Sequence, residues 1–449
     1  MYASINPFNH QKIADFPFHS YPDLTVSQNA FRFWKNLSLE ERGEQLKKVA
    51  AVLRKNKLQY AQLITLEMGK PLREAEYEID KTITAFDFYL ADAPQLLAHK
   101  GTKSNASKSY VRHDPLGIIF SIMPWNFPFW QVFRFAVPTL ISGNVTILKH
   151  APNVPQCAAA IEDAFHEAGL LDGIFKNYYL CNEDAAKLIA DEQVRGLSFT
   201  GSDATGSHLA SLAGKHIKKC VMELGGNDAF IVLADAEIEA TVAGAIKSRS
   251  INTGQACNGA KRFLVEEKIA ANFTKQLIAA VQQLKQGNPL DEGTQVGPLA
   301  RRDLADKVEK QIQATVQSGA TAHYGDNAFT GQGNFVTPVV LTNVNPKSTA
   351  FTEEIFGPVW SIAIVQNANE AIYLANQSQY GLAASIWSKN TALAEKMAAE
   401  LETGNVFIND IVKSDPRMPF GGIKQSGFGR ELGEEGLKEF VNIKTVYIK

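Results

Sequence analysis

The chain has 449 residues, 45% hydrophobic and 20% charged, with 32 Gly, 18 Pro and a formal net charge of −2 at pH 7. That length exceeds one ordinary hydrophobic core, so two large domains are expected. Acids and bases are interspersed, leaving no basic stripe for nucleic acid and no polybasic segment for a membrane surface.

In chain order, Met1-Tyr2-Ala3-Ser4-Ile5-Asn6-Pro7 has neither a positive n-region nor an apolar core, so no secretory signal is read there. Ser38 offers an N-cap with Glu40 and Glu41 in the first turn, and Leu46, Val49, Ala50 and Leu53 follow at helical spacing. The region from Ser38 to about Leu97 is therefore predicted to be helical. The polar segment Thr102–His113 is strand-compatible, as is the terminal Asn442–Lys449. Pro115 to Leu148 is the most apolar stretch. Pro124, Pro128 and Pro138, with Asn126 and Arg134, divide it into strand, turn and helix pieces of a buried core rather than a membrane span.

From Gly117 to Leu233, short apolar runs alternate with amphipathic helices. The runs are Gly117–Ile122, Val145–Leu148, Tyr178–Cys181, Leu197–Thr200 and Phe230–Leu233; the helices include Gln156–Ala168, Asp184–Asp191 and Asp203–Leu212. A second series after Cys257 has strand-like runs at Arg262–Val265, Val359–Gln366 and Val406–Ile408, with helices at Ile269–Gln286, Leu304–Ser318 and Asn369–Gln377. Such alternation signals parallel sheets wound with helices. The glycine-marked stretch Leu224–Gly226 separates the two series. Four cysteines at spacings of 24, 39 and 37 residues contain no C-x-x-C pair, and the nine histidines form no ligand-spaced cluster. Neither a disulfide framework nor a metal site is indicated, and a reduced, cytoplasmic setting fits.

Cys257 lies in Asn252-Thr253-Gly254-Gln255-Ala256-Cys257-Asn258-Gly259, and Glu223 lies 34 residues upstream in Met222-Glu223-Leu224-Gly225-Gly226. A thiol must lose its proton to become a nucleophile, and a carboxylate can take it directly or through water. A cysteine among small residues is by itself more often an inert core thiol, which is how Cys157, Cys181 and Cys220 read. Around Cys257 the rest of the pattern outweighs that. In Met123-Pro124-Trp125-Asn126-Phe127-Pro128 an Asn amide projects from a rigid turn after a strand, suited to donate to a developing oxyanion. Further on come Phe199-Thr200-Gly201-Ser202, Phe351-Thr352-Glu353-Glu354-Ile355-Phe356-Gly357-Pro358 and Pro419-Phe420-Gly421-Gly422.

Taken together and in this order, these motifs resemble the aldehyde dehydrogenase superfamily along the whole chain. The resemblance implies an α/β fold of two doubly wound parallel-sheet domains plus a β-arm for oligomerisation. Residues 1–101 and 116–224 would bind NAD(P), 225–434 would carry the nucleophile, and 102–115 with 435–449 would form the arm of a homo-oligomer, dimer or tetramer. Catalysis would fall to Cys257, Glu223 and Asn126. The cofactor would be held by Trp125, Lys149, Gly201, Ser202, Leu224, Glu354 and Phe356. The dinucleotide fingerprint G-x-G-x-x-G is absent; Gly201-Ser202-Asp203-Ala204-Thr205-Gly206 instead opens a helix after a strand, where free N–H groups face a phosphate. Taken alone, that junction is more often a helix cap. Three residues after Lys149, where NAD-preferring relatives carry an acid, this chain has Pro152, which leans towards NAD with some use of NADP.

The substrate end turns on Arg134, 8 residues after Asn126 and so on roughly the same helix face. In succinate-semialdehyde dehydrogenases an Arg here grips the substrate carboxylate, helped by a Ser that Ser414 matches. The other reading of Arg134 is a buried ion pair. A second Arg of some relatives is replaced by Ile251, with Arg249 nearby, and the C-x-C pair of redox-switched relatives is missing because Gly259 follows Asn258. The expected reaction is NAD(P)-dependent oxidation of succinate semialdehyde, a small-molecule substrate. Glutarate semialdehyde or a broader aldehyde range is the alternative, and a cysteine esterase or a non-catalytic binding protein would be a different class.

Overall fold

Both alternating series fold as the periodicity predicts, in a computed structural model that describes residues 1–449. The first sheet orders its strands Gly427–Phe428, Lys219–Glu223, Val194–Thr200, Ile118–Met123, Val145–His150 and Phe175–Asn177, parallel except at the first edge. The second runs Thr321–Tyr324, Val339–Thr342, Val359–Val365, Arg262–Glu266, Ala229–Val232, Ala383–Trp387 and Asn405–Ile408, with only the Thr321–Tyr324 edge antiparallel. Parallel strands need crossover helices that cover both faces, which explains why these strands are apolar throughout rather than alternating. Phe120, Ile147, Leu197 and Phe133 belong to the core around the first sheet; Ile231, Leu264 and Ile386 lie on one face of the second, and Phe230, Phe263 and Trp360 on the other.

Four departures from the sequence reading have physical causes. The strand expected at Tyr178–Cys181 is Phe175–Asn177, an edge strand shifted towards the N-terminus. Strands at Lys219–Glu223, Val339–Thr342 and Ala383–Trp387 were not foreseen. The last, Ala-Ala-Ser-Ile-Trp, has little β-branched character and is a strand because its neighbours on both sides bury it. Pro138 does not end a helix: Trp130–Ile141 runs through it, and the loss is one N–H that would have faced the Arg134 carbonyl. Finally, Gly427–Phe428, assigned above to the second domain, returns to pair with Met222 and Glu223 on the first sheet. A segment that follows the second sheet in the chain thus completes the edge of the first beside the candidate base.

Lys108–Pro115 pairs antiparallel with Val441–Ile448 in eight registered residue pairs, and Lys100–Gly101 adds a short third strand. No helix is long and apolar enough to cross a membrane.

Candidate active site

The turn that carries Asn126 is held from below by a helix whose role the sequence did not disclose. On Leu72–Leu96, Glu74, Glu78, Lys81 and Ala85 recur at helical spacing along one face. Glu78 Oε1 accepts from the backbone N–H groups of Phe129 (2.9 Å) and Trp130 (3.0 Å), satisfying the free donors where helix Trp130–Ile141 begins. Its other oxygen is paired with Lys70; both side chains are fully buried, and the Lys70 ammonium lies 3.8 Å from the centroid of the Phe127 ring. On the opposite side His150 Nδ1 accepts from the Ala151 N–H at 2.9 Å, which leaves Nε2 as the donor to the Pro128 carbonyl at 2.9 Å. Burial lowers the His150 pKa to about 4, so the ring is neutral and serves as a strut.

Asn126 Nδ2 donates to the Gln255 carbonyl at 3.0 Å, while Oδ1 is buried without a partner. The same carbonyl and the Asn126 carbonyl both receive Asn252 Nδ2, at 3.2 and 2.7 Å. The Asn126 turn and the loop that leads to Cys257 are therefore one hydrogen-bonded unit. That loop is strained: Asn252 and Thr253 have φ of 51° and 57°, the left-handed region that a β-branched residue rarely enters. Three contacts impose it. The Asn252 N–H donates to Glu74 Oε2 at 2.5 Å, Thr253 Oγ1 accepts from Gly297 N–H at 3.0 Å, and Gln255 Oε1 accepts from Ala300 N–H at 2.9 Å.

Cys257 follows this loop. Burial pushes its thiol up to about 11, while the Arg134 guanidinium and the Lys261 ammonium pull it back. Lys261 donates to the carbonyls of Ala256 (3.0 Å) and Cys257, fixing the backbone at the candidate nucleophile. Glu223, at the end of strand Lys219–Glu223, is 2% exposed, and its Oε1 has no hydrogen-bond partner. Burial raises its pKa well above the usual carboxylate range; Arg134 opposes that and Glu431 adds to it. Gly421 leaves room for this carboxylate, since a Cβ there would sit 2.7 Å from Glu223 Oε1.

The guanidinium of Arg134 does not stand free for a substrate. It is 2% exposed, its Nε is paired with Glu431, and its Nη2 lies 3.8 Å from Glu223. Of the two readings of Arg134, this geometry favours the buried ion pair over a direct grip on the substrate, because two carboxylates already compensate the charge. Glu431, in Gly429-Arg430-Glu431-Leu432, offered no motif to the sequence reading. Arg249 is likewise committed: fully buried, it donates to the carbonyls of Val359 (2.9 Å) and Ile355. Ser414, by contrast, meets two donors at one oxygen, Trp130 Nε1 at 3.0 Å and Lys81 Nζ at 2.8 Å.

A cavity of about 490 Å³ is lined by Cys257 and Asn126 together with Trp125, Lys149, Gly201, Ser202, Leu224, Glu354 and Phe356. Pro152, Arg301 and Lys307 also line it, and the last two were missed because sequence distance hides them. Ser202 Oγ accepts from the Thr205 N–H at 3.4 Å, so the helix-cap reading of that junction also holds. Lys149 is buried with no acid beside it, only the Tyr2 ring at 5.7 Å. Glu354 is placed by the Gly226 N–H and Lys261, each 3.2 Å away, and a Cβ on Gly225 would come within 2.7 Å of its Oε2. Away from this site, Glu162, His166 and Asp172 come together at the surface, but Lys176 already bridges the two acids.

The profile of the aldehyde dehydrogenase family matches residues 1–446. The probable succinate-semialdehyde dehydrogenase [NADP(+)] of Synechocystis is 44% identical over 450 residues, covering 99% of each chain. The succinate semialdehyde dehydrogenase [NAD(P)+] of Escherichia coli strain K12 is 43% identical, over 99% of this chain and 97% of its own. Among solved structures, succinic semialdehyde dehydrogenase from Streptococcus pyogenes, in complex with NADP+, superposes with a TM-score of 0.96 at 36% identity over the whole of both chains.

Proposed function

The chain belongs to the aldehyde dehydrogenase family, and we propose that it oxidises succinate semialdehyde to succinate with NADP or NAD. The observation that carries this reading is that one cavity is lined by the thiol, the amide donor and the expected cofactor residues together. The walls suit a polar guest: Thr200 Oγ1, Gln131 Oε1 and Asn126 Oδ1 are buried on them without hydrogen-bond partners, and Lys149 lacks a counterion. Lys149, Gly201, Ser202, Trp125, Leu224, Glu354 and Phe356 would hold the dinucleotide. When bound, it supplies the hydride acceptor.

On this reading the Cys257 thiolate adds to the aldehyde carbon, forming a C–S bond and an alkoxide. Asn126 Nδ2 and the Cys257 N–H donate to that oxygen. Loss of hydride leaves a thioester on Cys257. Glu223 takes a proton from water, whose oxygen attacks the thioester; succinate leaves and the thiolate returns. A carboxylate whose pKa is raised by burial is a better base than an exposed one, which suits Glu223 to that step. Glu223→Gln is expected to show a burst of reduced cofactor followed by turnover slowed about 100-fold; unchanged steady-state turnover would remove Glu223 from the role.

The cavity favours both cofactors. Pro152 offers no carboxylate for a ribose 2′-OH and no charge against a 2′-phosphate, and Lys149 is near in sequence to receive one. Pro152→Glu should shift the ratio of kcat/KM towards NAD about tenfold, by like-charge repulsion of the 2′-phosphate. An unmoved ratio would place the adenosine ribose elsewhere. The arm supports assembly with further copies of the chain: Val441–Ile448 is the outer strand of its sheet and exposes Ile443 and Tyr447. A cytoplasmic setting agrees with four unpaired cysteines.

The substrate is tested by steady-state kinetics on succinate semialdehyde, glutarate semialdehyde, butanal and benzaldehyde, each with NAD and NADP. Preference for butanal over succinate semialdehyde would overturn the assignment. Turnover without either cofactor would point to the esterase reading.

A further inference from the structure

We infer that Lys81 is the cation that receives the carboxylate of the substrate, with the Ser414 hydroxyl beside it; this rests on the substrate reading above. Three cations gather beneath the site from two neighbouring helices and the loop before them. Lys70 is paired with Glu78, and Arg134 with Glu431 and Glu223. Lys81 alone has no acid: its one side-chain hydrogen bond goes to a neutral group, Ser414 Oγ at 2.8 Å, and its ammonium lies 4.5 Å from the centroid of the Trp130 ring. Lys81 is half-buried, and an ammonium that has lost part of its hydration without gaining a counterion is destabilised; an arriving anion relieves that.

Ser414 completes the cradle. Its oxygen accepts from both Lys81 and Trp130 Nε1, so both lone pairs are in use and its proton is left to donate. A carboxylate placed here would accept from the Ser414 O–H and from the remaining N–H bonds of Lys81. An apolar cluster links the neighbourhood of Lys81 to the thiol. Ala85, one turn beyond Lys81, packs in an apolar cluster with Trp130, Val412 and Phe420, and Cys257 lies against that same cluster. The chemistry of a semialdehyde is matched end to end: thiol for the aldehyde, an apolar wall for the methylenes, ammonium and hydroxyl for the carboxylate. Burial and the nearby Arg134 lower the Lys81 pKa to about 7, so both disfavour the ammonium, and an anion bound beside it would raise that pKa again.

The test compares kcat/KM for succinate semialdehyde and for butanal, an uncharged aldehyde of equal length, in the wild type, Lys81→Met, Lys81→Gln and Lys81→Arg. Removal of the charge should lower the value for succinate semialdehyde about 30-fold or more, mainly through KM, and leave butanal within about threefold. Lys81→Arg should recover a large part of the loss. Lys81→Gln keeps a hydrogen bond to Ser414 without charge, and butanal turnover in each preparation reports that the site is folded. Equal losses for the two substrates would make Lys81 a structural residue, and an unchanged preference would place the carboxylate elsewhere; either overturns the inference. A wild type indifferent to the carboxylate would instead overturn the substrate reading itself.

Discussion

Replacing Cys257 by Ala is expected to lower aldehyde oxidation by on the order of 10⁴-fold or more, because no other group in the site can hold the acyl intermediate. Cofactor binding should stay near the wild-type value, as Lys149, Glu354 and the Gly201–Ser202 junction reach the cavity from other elements. Fluorescence titration with NADPH and steady-state rates on the same preparation separate the two. Substantial turnover would remove Cys257 from the mechanism, and lost cofactor binding would mean that the loop had collapsed.

Arg134→Leu is expected to act on every aldehyde, charged or not. The guanidinium compensates Glu431 directly and Glu223 across 3.8 Å, and it is the foremost charge holding down the pKa of Cys257. Without it two buried carboxylates face each other, so one of them must take up a proton, and Glu223 loses its value as a base. Breaking a buried pair in this way costs about 3–5 kcal/mol of stability. The variant should melt at lower temperature and lose similar factors of kcat/KM on succinate semialdehyde and butanal. A loss confined to succinate semialdehyde would return Arg134 to the substrate and displace Lys81 from it. The paired experiments on Arg134 and Lys81 therefore divide the two cations by what each one touches.

The anion beside Arg134 is a property that the local sequence does not carry. Arg134 was visible as an arginine in an apolar stretch that had to find an anion. Which anion it found was not, since Glu431 lies 297 residues further on and nothing in Gly429-Arg430-Glu431-Leu432 marks it. Glu74, Glu78 and Lys81 are a similar case. Their spacing was legible as one face of a helix, but charged residues on a helix face usually meet solvent, and here the face is turned inward beneath Asn126 and Cys257.

By itself the sequence determined the elements and the chemistry: apolar periodicity predicts two parallel sheets, and the runs around Asn126, Glu223 and Cys257 carry their own local signals in proline, glycine and carboxylate. Those properties are local because strand, turn and thiol environment depend on residues close in the chain. The tertiary structure alone decided how charge is shared. It spent Arg134 on Glu431 and Glu223, Lys70 on Glu78 and Arg249 on backbone carbonyls, and it left Lys81 without an anion. Electrostatic compensation in a medium of low dielectric is set by distances of a few ångströms between residues far apart in sequence.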